Sequence, residues 1–338
     1  MLPTSSIRKL TDYILLNACS VNSSGLYNGK AGMALVLFEV ARYLQDEYID
    51  EQAFNLFEEA LVTQNEDIGF ENGLSGVGYM LLYLIGNDFI DADFEELFGE
   101  NRAKIETDLI TPANMQPNQQ IAQYLRAVYY LCTVDKKVTG AKTKLLTKSI
   151  LKEADKLLVE ELSALETKDA KCPKIDILNS LASYLKVADF CCFFEPSAEL
   201  LEKYVALYKQ SKFVSNFTIG YYLTTIAKRT GNTDIETVGM ENKAAAVRNI
   251  HRETLSLTQR INLLWLLHQN AALYKNEIAC LEKDFVDITD EKKIEQVLVQ
   301  SIHPADFMAG YQSGIARFLL YYVYRNTVKE GKQRFHFL

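Results

Sequence analysis

The residues with most chemistry to offer in this chain are four histidines, His251, His268, His303 and His336, and six cysteines at 19, 132, 172, 191, 192 and 280. In His303-Pro304-Ala305-Asp306 an imidazole and a carboxylate stand three residues apart at a turn, a pairing suited to general acid–base work. Asp306 suits equally well the cap of a helix beginning at Phe307. His251 lies just before another expected helix and is the third catalytic candidate. Paired carboxylates would serve glycoside hydrolysis; Glu71, Asp176 and Asp306 are the candidates, each also readable as a turn or cap residue. The cysteines form no C-x-x-C pair. They read first as small buried hydrophobes, and the adjacent Cys191 and Cys192 lack the spacing of metal ligands.

The elements that would position these residues announce themselves by repetition. Gly25-Leu26-Tyr27-Asn28-Gly29-Lys30-Ala31-Gly32 returns as Gly69-Phe70-Glu71-Asn72-Gly73-Leu74-Ser75-Gly76, 44 residues later. Each copy runs into an apolar segment, Met33 to Tyr43 and Val77 to Ile85, which reads as a helix buried on most of its surface. The glycines are expected to permit positive φ and close backbone approach. They are not phosphate cradles, because no Lys-Ser/Thr ending follows them. A looser third copy, Gly310-Tyr311-Gln312-Ser313-Gly314, precedes the last apolar segment. From Gly76 to Gly314 there are five further steps of about 48 residues, a period typical of repeat architectures, which makes seven units.

Between the apolar segments lie amphipathic, charged ones, and each charged helix is expected to pair with the apolar helix that follows it. In chain order the expected helices are Ser5–Ala18, Met33–Tyr43, 50–62, Val77–Ile85, Asp93–Thr107, Gln119–Leu131, Lys142–Glu166, Ile175–Phe190, Pro196–Lys209, Asn216–Lys228, Ile235–Arg248, Ser256–Leu273, Asn276–Ser301 and Phe307–Tyr324. Gly220 is a candidate survivor of the turn glycines in the fifth pair. No run of alternating β-branched residues is long enough for a sheet. The fold class is all-α, a single domain over 1–338. Two features favour a closed ring over an open solenoid: the apolar helices carry few charges, and the best copies are the first two and the last, where open arrays degenerate into caps.

Composition sets outer bounds. A net charge of −8 disfavours nucleic acid as a nonspecific partner. No uncharged run of eighteen apolar residues exists, so no membrane span is expected. The N-terminus lacks the basic-then-apolar order of a signal peptide, which places the chain in the cytoplasm. Nineteen tyrosines, many on the apolar helices, would give a ring lumen polar handles for an extended peptide.

Gly29-Lys30-Ala31-Gly32-Met33-Ala34-Leu35 and Asn72-Gly73-Leu74-Ser75-Gly76-Val77-Gly78-Tyr79 resemble the inner-helix turns of the lanthionine synthetase C-like family. The resemblance implies an α/α toroid of about seven helical hairpins. It further implies a cyclase that adds a peptide cysteine thiol to a dehydrated residue, with zinc lowering the thiol pKa. The family's zinc ligands come from a Gly-Trp-Cys turn and a Cys-His-Gly turn, and this chain has neither. The first would fall near Phe213 or Ser215, and Leu257-Thr258-Gln259-Arg260 stands in place of the second. No zinc or other cofactor is therefore expected.

The resemblance without the ligands implies a zinc-free, peptide-binding or scaffold subunit in the maturation of a ribosomally made peptide. Its partners would be a precursor peptide and a dehydratase-type modification enzyme. The lumen-rim candidates for peptide contact are Tyr27, Glu71, Tyr79, Tyr221, Thr258, Gln259 and Tyr311. The alternatives are an active cyclase with a relocated thiol-activating site, and an α/α-toroid enzyme acting on glycosides or prenyl groups.

Overall fold

A computed structural model describes residues 3–27, 29–63, 66–110, 120–138, 143–167, 174–251, 255–285, 289–290, 293–294 and 314–327. Among the described residues the protein is all-helical, with fourteen helices and no strand. They are α1 (Thr4–Ala18), α2 (Lys30–Leu44), α3 (Glu47–Val62), α4 (Leu74–Gly86), α5 (Phe94–Ile110), α6 (Gln120–Lys137), α7 (Lys144–Thr167), α8 (Lys174–Cys191), α9 (Ala198–Lys209), α10 (Phe217–Thr230), α11 (Thr233–Arg248), α12 (Leu257–His268), α13 (Lys275–Lys283) and α14 (Ile315–Thr327). None of them is long and apolar enough to cross a membrane.

The starts of these helices follow from their caps. Asp46, Ser197, Asn216, Asn232 and Ser256 each accept backbone N–H bonds from the first turn of α3, α9, α10, α11 and α12, satisfying donors that a helix start leaves without partners. α2 and α4 have no such side-chain cap and leave instead from Gly29 and Gly73 in extended backbone. α7, whose sequence allows one break, is continuous over its 24 residues.

The chain divides into two compact units, residues 1–102 with 251–338, and residues 103–250. In the first, α2 packs against α4 on one side and α14 on the other, and α12 packs on α14. α3 and α1 cover α2, and α13 covers α12. The central helices are buried almost all round: every residue from Ala31 to Ala41 in α2 is buried, as is every residue from Ile315 to Tyr324 in α14. Their largely apolar sequences require this, with Glu39 and Arg317 the charged residues buried among them. In the second unit α6, α8 and α10 pack side by side, α7 lies against α6 and α8, α11 against α10, and α9 against α7 and α11.

The phase of the hairpins differs from the sequence reading, which pairs each charged helix with the apolar helix after it. The tightest antiparallel pairs are α2 with α3 and α10 with α11, an apolar helix with the charged helix that follows. Linker length decides this, because two residues force neighbours to be antiparallel. Gln45-Asp46 and Gly231-Asn232 are built alike: the first residue is left-handed (φ 53° and 73°) and the second caps the next helix. Gly220 is likewise no turn glycine. It sits inside α10 where that helix crosses α11 at Gly239, and a Cβ there would lie 2.8 Å from the Gly239 carbonyl oxygen.

Candidate functional site

The two glycine turns share a pair of backbone hydrogen bonds in the same register. Lys30 and Ala31 donate to the carbonyls of Ser23 and Ser24, and Leu74 and Ser75 donate to those of Asp67 and Ile68. The turns also interlock, since Leu26 N–H reaches the Phe70 carbonyl at 3.2 Å and Tyr27 N–H that of Glu71 at 3.0 Å. The glycines serve this contact. A Cβ on Gly25 would stand 2.4 Å from the Glu71 carbonyl oxygen, and one on Gly76 would stand 2.4 Å from Leu26 N. Close approach is thus the reason for glycine in these two turns, whereas positive φ is reached at Gly231 and Gly314.

This junction gathers three of the sequence candidates. The Tyr27 ring is buried edge-on against Phe70 at 5.5 Å, and Phe70 meets Tyr79, also buried, at 5.4 Å. Glu71 is half-buried beside them. Tyr221 belongs to the second unit, half-buried with its ring at right angles to Tyr222. Thr258 is half-buried in the first turn of α12, and Gln259 completes a capping box with Ser256. His251 is exposed. Asp176 is exposed in the first turn of α8, where a carboxylate complements the helix dipole. His303, Asp306 and Tyr311 lie outside the described residues.

The positions where the resemblance would put zinc ligands carry structural groups. Phe213 is buried and stacks on Tyr204, and the Ser215 hydroxyl lies 3.2 Å from that of Tyr208. Arg260 donates to the Leu255 carbonyl and pairs with Asp284. Among the described residues no group of three or more His, Cys, Asp or Glu side chains gathers as a metal would need.

Two polar clusters lie in the first unit. On α2 and α4, Tyr83 donates its hydroxyl to the buried Glu39 carboxylate. Burial pushes the Glu39 carboxyl above its usual range, against the opposing pull of the Tyr83 bond and the Arg42 charge. Arg42 in turn covers the Phe89 ring at 3.4 Å and donates to the Asn87 carbonyl. The second cluster joins α12, α13 and α14. The Glu282 carboxylate accepts from the Tyr321 hydroxyl at 3.2 Å and pairs with Arg325, and His268 Nε2 lies 3.6 Å away. His268 Nε2 is 3.0 Å from the Tyr321 hydroxyl. Burial raises the Glu282 pKa, yet the His268 bond and the Arg325 charge together hold it below the usual value. Burial and then the Glu282 charge push the Tyr321 phenol up. An imidazole touching a phenol could relay a proton, but the carboxylate already holds the Tyr321 hydroxyl and Arg325, with His268 beside it, and joins three helices.

On the other side of α1 and α3 an open groove of about 1310 Å³ runs along their exposed faces to residues 90–97. Leu16, Tyr48, Phe54, Val62 and Leu97 line it and are among the protein's exposed large hydrophobics, Leu16 and Val62 at more than three-quarters. The charged residues lining it are all acidic: Asp12, Glu58, Glu59 and Asp91. Apolar surface gathered in this way marks interaction sites on soluble proteins.

Sequence reasoning missed the two polar clusters, although one signal was present. Glu39 and Tyr83 are 44 residues apart, the period of the glycine turns, so the repeat register alone places them on adjacent helices. His268, Glu282, Tyr321 and Arg325 have no such signature. In comparisons with known proteins, no family model matches the chain and no curated protein is significantly similar to it.

Proposed function

We propose that this protein is a zinc-free relative of the lanthionine synthetase C-like proteins, a closed ring of about seven helical hairpins that binds a peptide without catalysing its cyclisation. It would act in the cytoplasm as a scaffold in the maturation of a ribosomally made peptide, beside a dehydratase-type enzyme. The observation that carries the binding function is the groove on α1 and α3. It is larger than a typical small-molecule pocket of ~300–1,000 Å³, apolar along its floor, and its charged lining residues are all acidic. A peptide with apolar side chains flanked by lysine or arginine fits that chemistry. Support for the family relation comes from the matching hydrogen bonds of the two turns and from the packing of α14 on α2, the contact that closing a ring of repeats demands. Support for the loss of cyclase chemistry comes from the capping box that stands where the Cys-His-Gly turn belongs.

The test uses two labelled amphipathic peptides with the same apolar pattern, one carrying lysines and one glutamates, titrated with the full-length protein by fluorescence anisotropy. The lysine peptide is expected to bind, and Phe54→Asp or Leu16→Asp to weaken it tenfold or more, since burying such a side chain contributes about 1.5–3 kcal/mol. Equal binding of both peptides, or binding indifferent to the groove substitutions, overturns the assignment of the groove. One tightly held zinc per chain together with thioether formation on a dehydroalanine peptide overturns the non-catalytic reading.

A further inference from the structure

Cys132 and Cys191 are placed on α6 and α8, consecutive members of the row at the centre of the second unit. Their Sγ atoms lie 2.8 Å apart, and both side chains are buried. A disulfide needs about 2.05 Å between sulfurs, so closure asks the two sulfurs to approach by less than one ångström. Cys191 is the last residue of α8, and Cys192 beyond it is exposed and left-handed (φ 56°). Lys136 and Arg229 bond the carbonyls of Phe190 and Asp189 in that last turn, so the sulfur pair is held at the end of α8, one residue from the exposed Cys192.

We propose that Cys132 and Cys191 are an oxidation-linked pair, closed by peroxide into a disulfide that ties α6 to α8. The step balances. One thiolate attacks a peroxide oxygen, the O–O bond breaks, and a sulfenic acid and hydroxide result. The second thiolate then attacks that sulfur and expels the second hydroxide. Two sulfurs each lose one electron, the peroxide gains both, and the two thiol protons leave in two waters. The hydrogen bond with Cys132, and then burial, push the Cys191 thiol up, so attack is slow at neutral pH and quickens as pH rises. Neither carboxylates nor imidazoles are needed, and the groove on α1 and α3 plays no part.

Fully reduced full-length protein, freed of reductant, is treated with hydrogen peroxide. It is then unfolded, alkylated and digested without reduction for mass spectrometry. The expected result is the loss of two thiols per chain, one cross-linked peptide pair joining Cys132 to Cys191, and a melting temperature several degrees higher for the oxidised protein. The link is expected to survive in Cys192→Ser, to vanish in Cys132→Ser, and to form faster at pH 8.5 than at pH 6.5. Because the central readout is made on the unaltered chain, a variant that fails to fold does not weaken it. A link from Cys191 to Cys192 or to Cys172, or a Cys132 that stays alkylatable after the other thiols are consumed, overturns the proposal.

Discussion

At the scale of single residues, the buried Glu39 carboxylate is the group whose neighbours matter most. Its folded-state pKa lies above the unfolded one, chiefly because burial penalises the charge. Its contribution to stability is therefore greatest below the unfolded value and fades as pH rises through the interval between the two. What limits the loss is the Tyr83 hydroxyl, which donates to the ionised form. Tyr83→Phe is expected to cost about 1.5–3 kcal/mol at neutral pH, as hydrogen bonds to charged groups do, and less near pH 4. Glu39→Gln is expected to flatten the pH dependence. Urea unfolding of the three proteins at pH 4 and pH 7 checks both, and an equal cost of Tyr83→Phe at the two pH values would show that the charge is not involved.

At the scale of elements, the two-residue joints set which helices pair. Gln45 pays the steric cost of a left-handed conformation that Gly231 avoids. Gln45→Gly is expected to stabilise the protein and Gly231→Gln to destabilise it, each by about 1 kcal/mol; opposite shifts in thermal melts are the signature. Much of this level was legible in the sequence. The alternation of apolar and charged segments located the described helices, because burial on all sides or on one side writes itself into every third or fourth residue. The helix expected over Asn276–Ser301, however, ends at Lys283, and the last helix starts at Ile315 and not Phe307. Helix starts shifted by a few residues where glycine, not a polar cap, begins the helix, as at Lys30 and Leu74. The joints were not legible, since Gln45 has no turn propensity and its role shows only in its φ. The cluster around Glu282 was equally silent: its members come from three helices, and convergence over 39 to 53 residues leaves no local pattern. Cys132 and Cys191 were a partial exception. Their separation of 59 nearly matches the 60 residues between Ala122 and Ala182, which stand on the same two apolar helices where the repeat would have a glycine.

At the scale of the whole molecule, the first unit is assembled from both ends of the chain, with α14 seated against α1, α2 and α12. Leu319 of α14 is fully buried, and Leu319→Ala is expected to cost about 2–5 kcal/mol. Hydrogen exchange should report the damage as lost protection in α1, α2 and α12, with α8 and α10 as the internal reference. Uniform loss through all helices, or loss confined to α14, would refute the seam. The same contact has a consequence in time. α2 leaves the ribosome about 270 residues before the helix that covers it, and at ~5–20 residues per second that is roughly a quarter of a minute to a minute. Throughout that interval a helix with apolar residues on every side has no permanent neighbour on one flank, so the nascent chain is an obvious client for a chaperone. The first hairpin of this protein is made early and finished last.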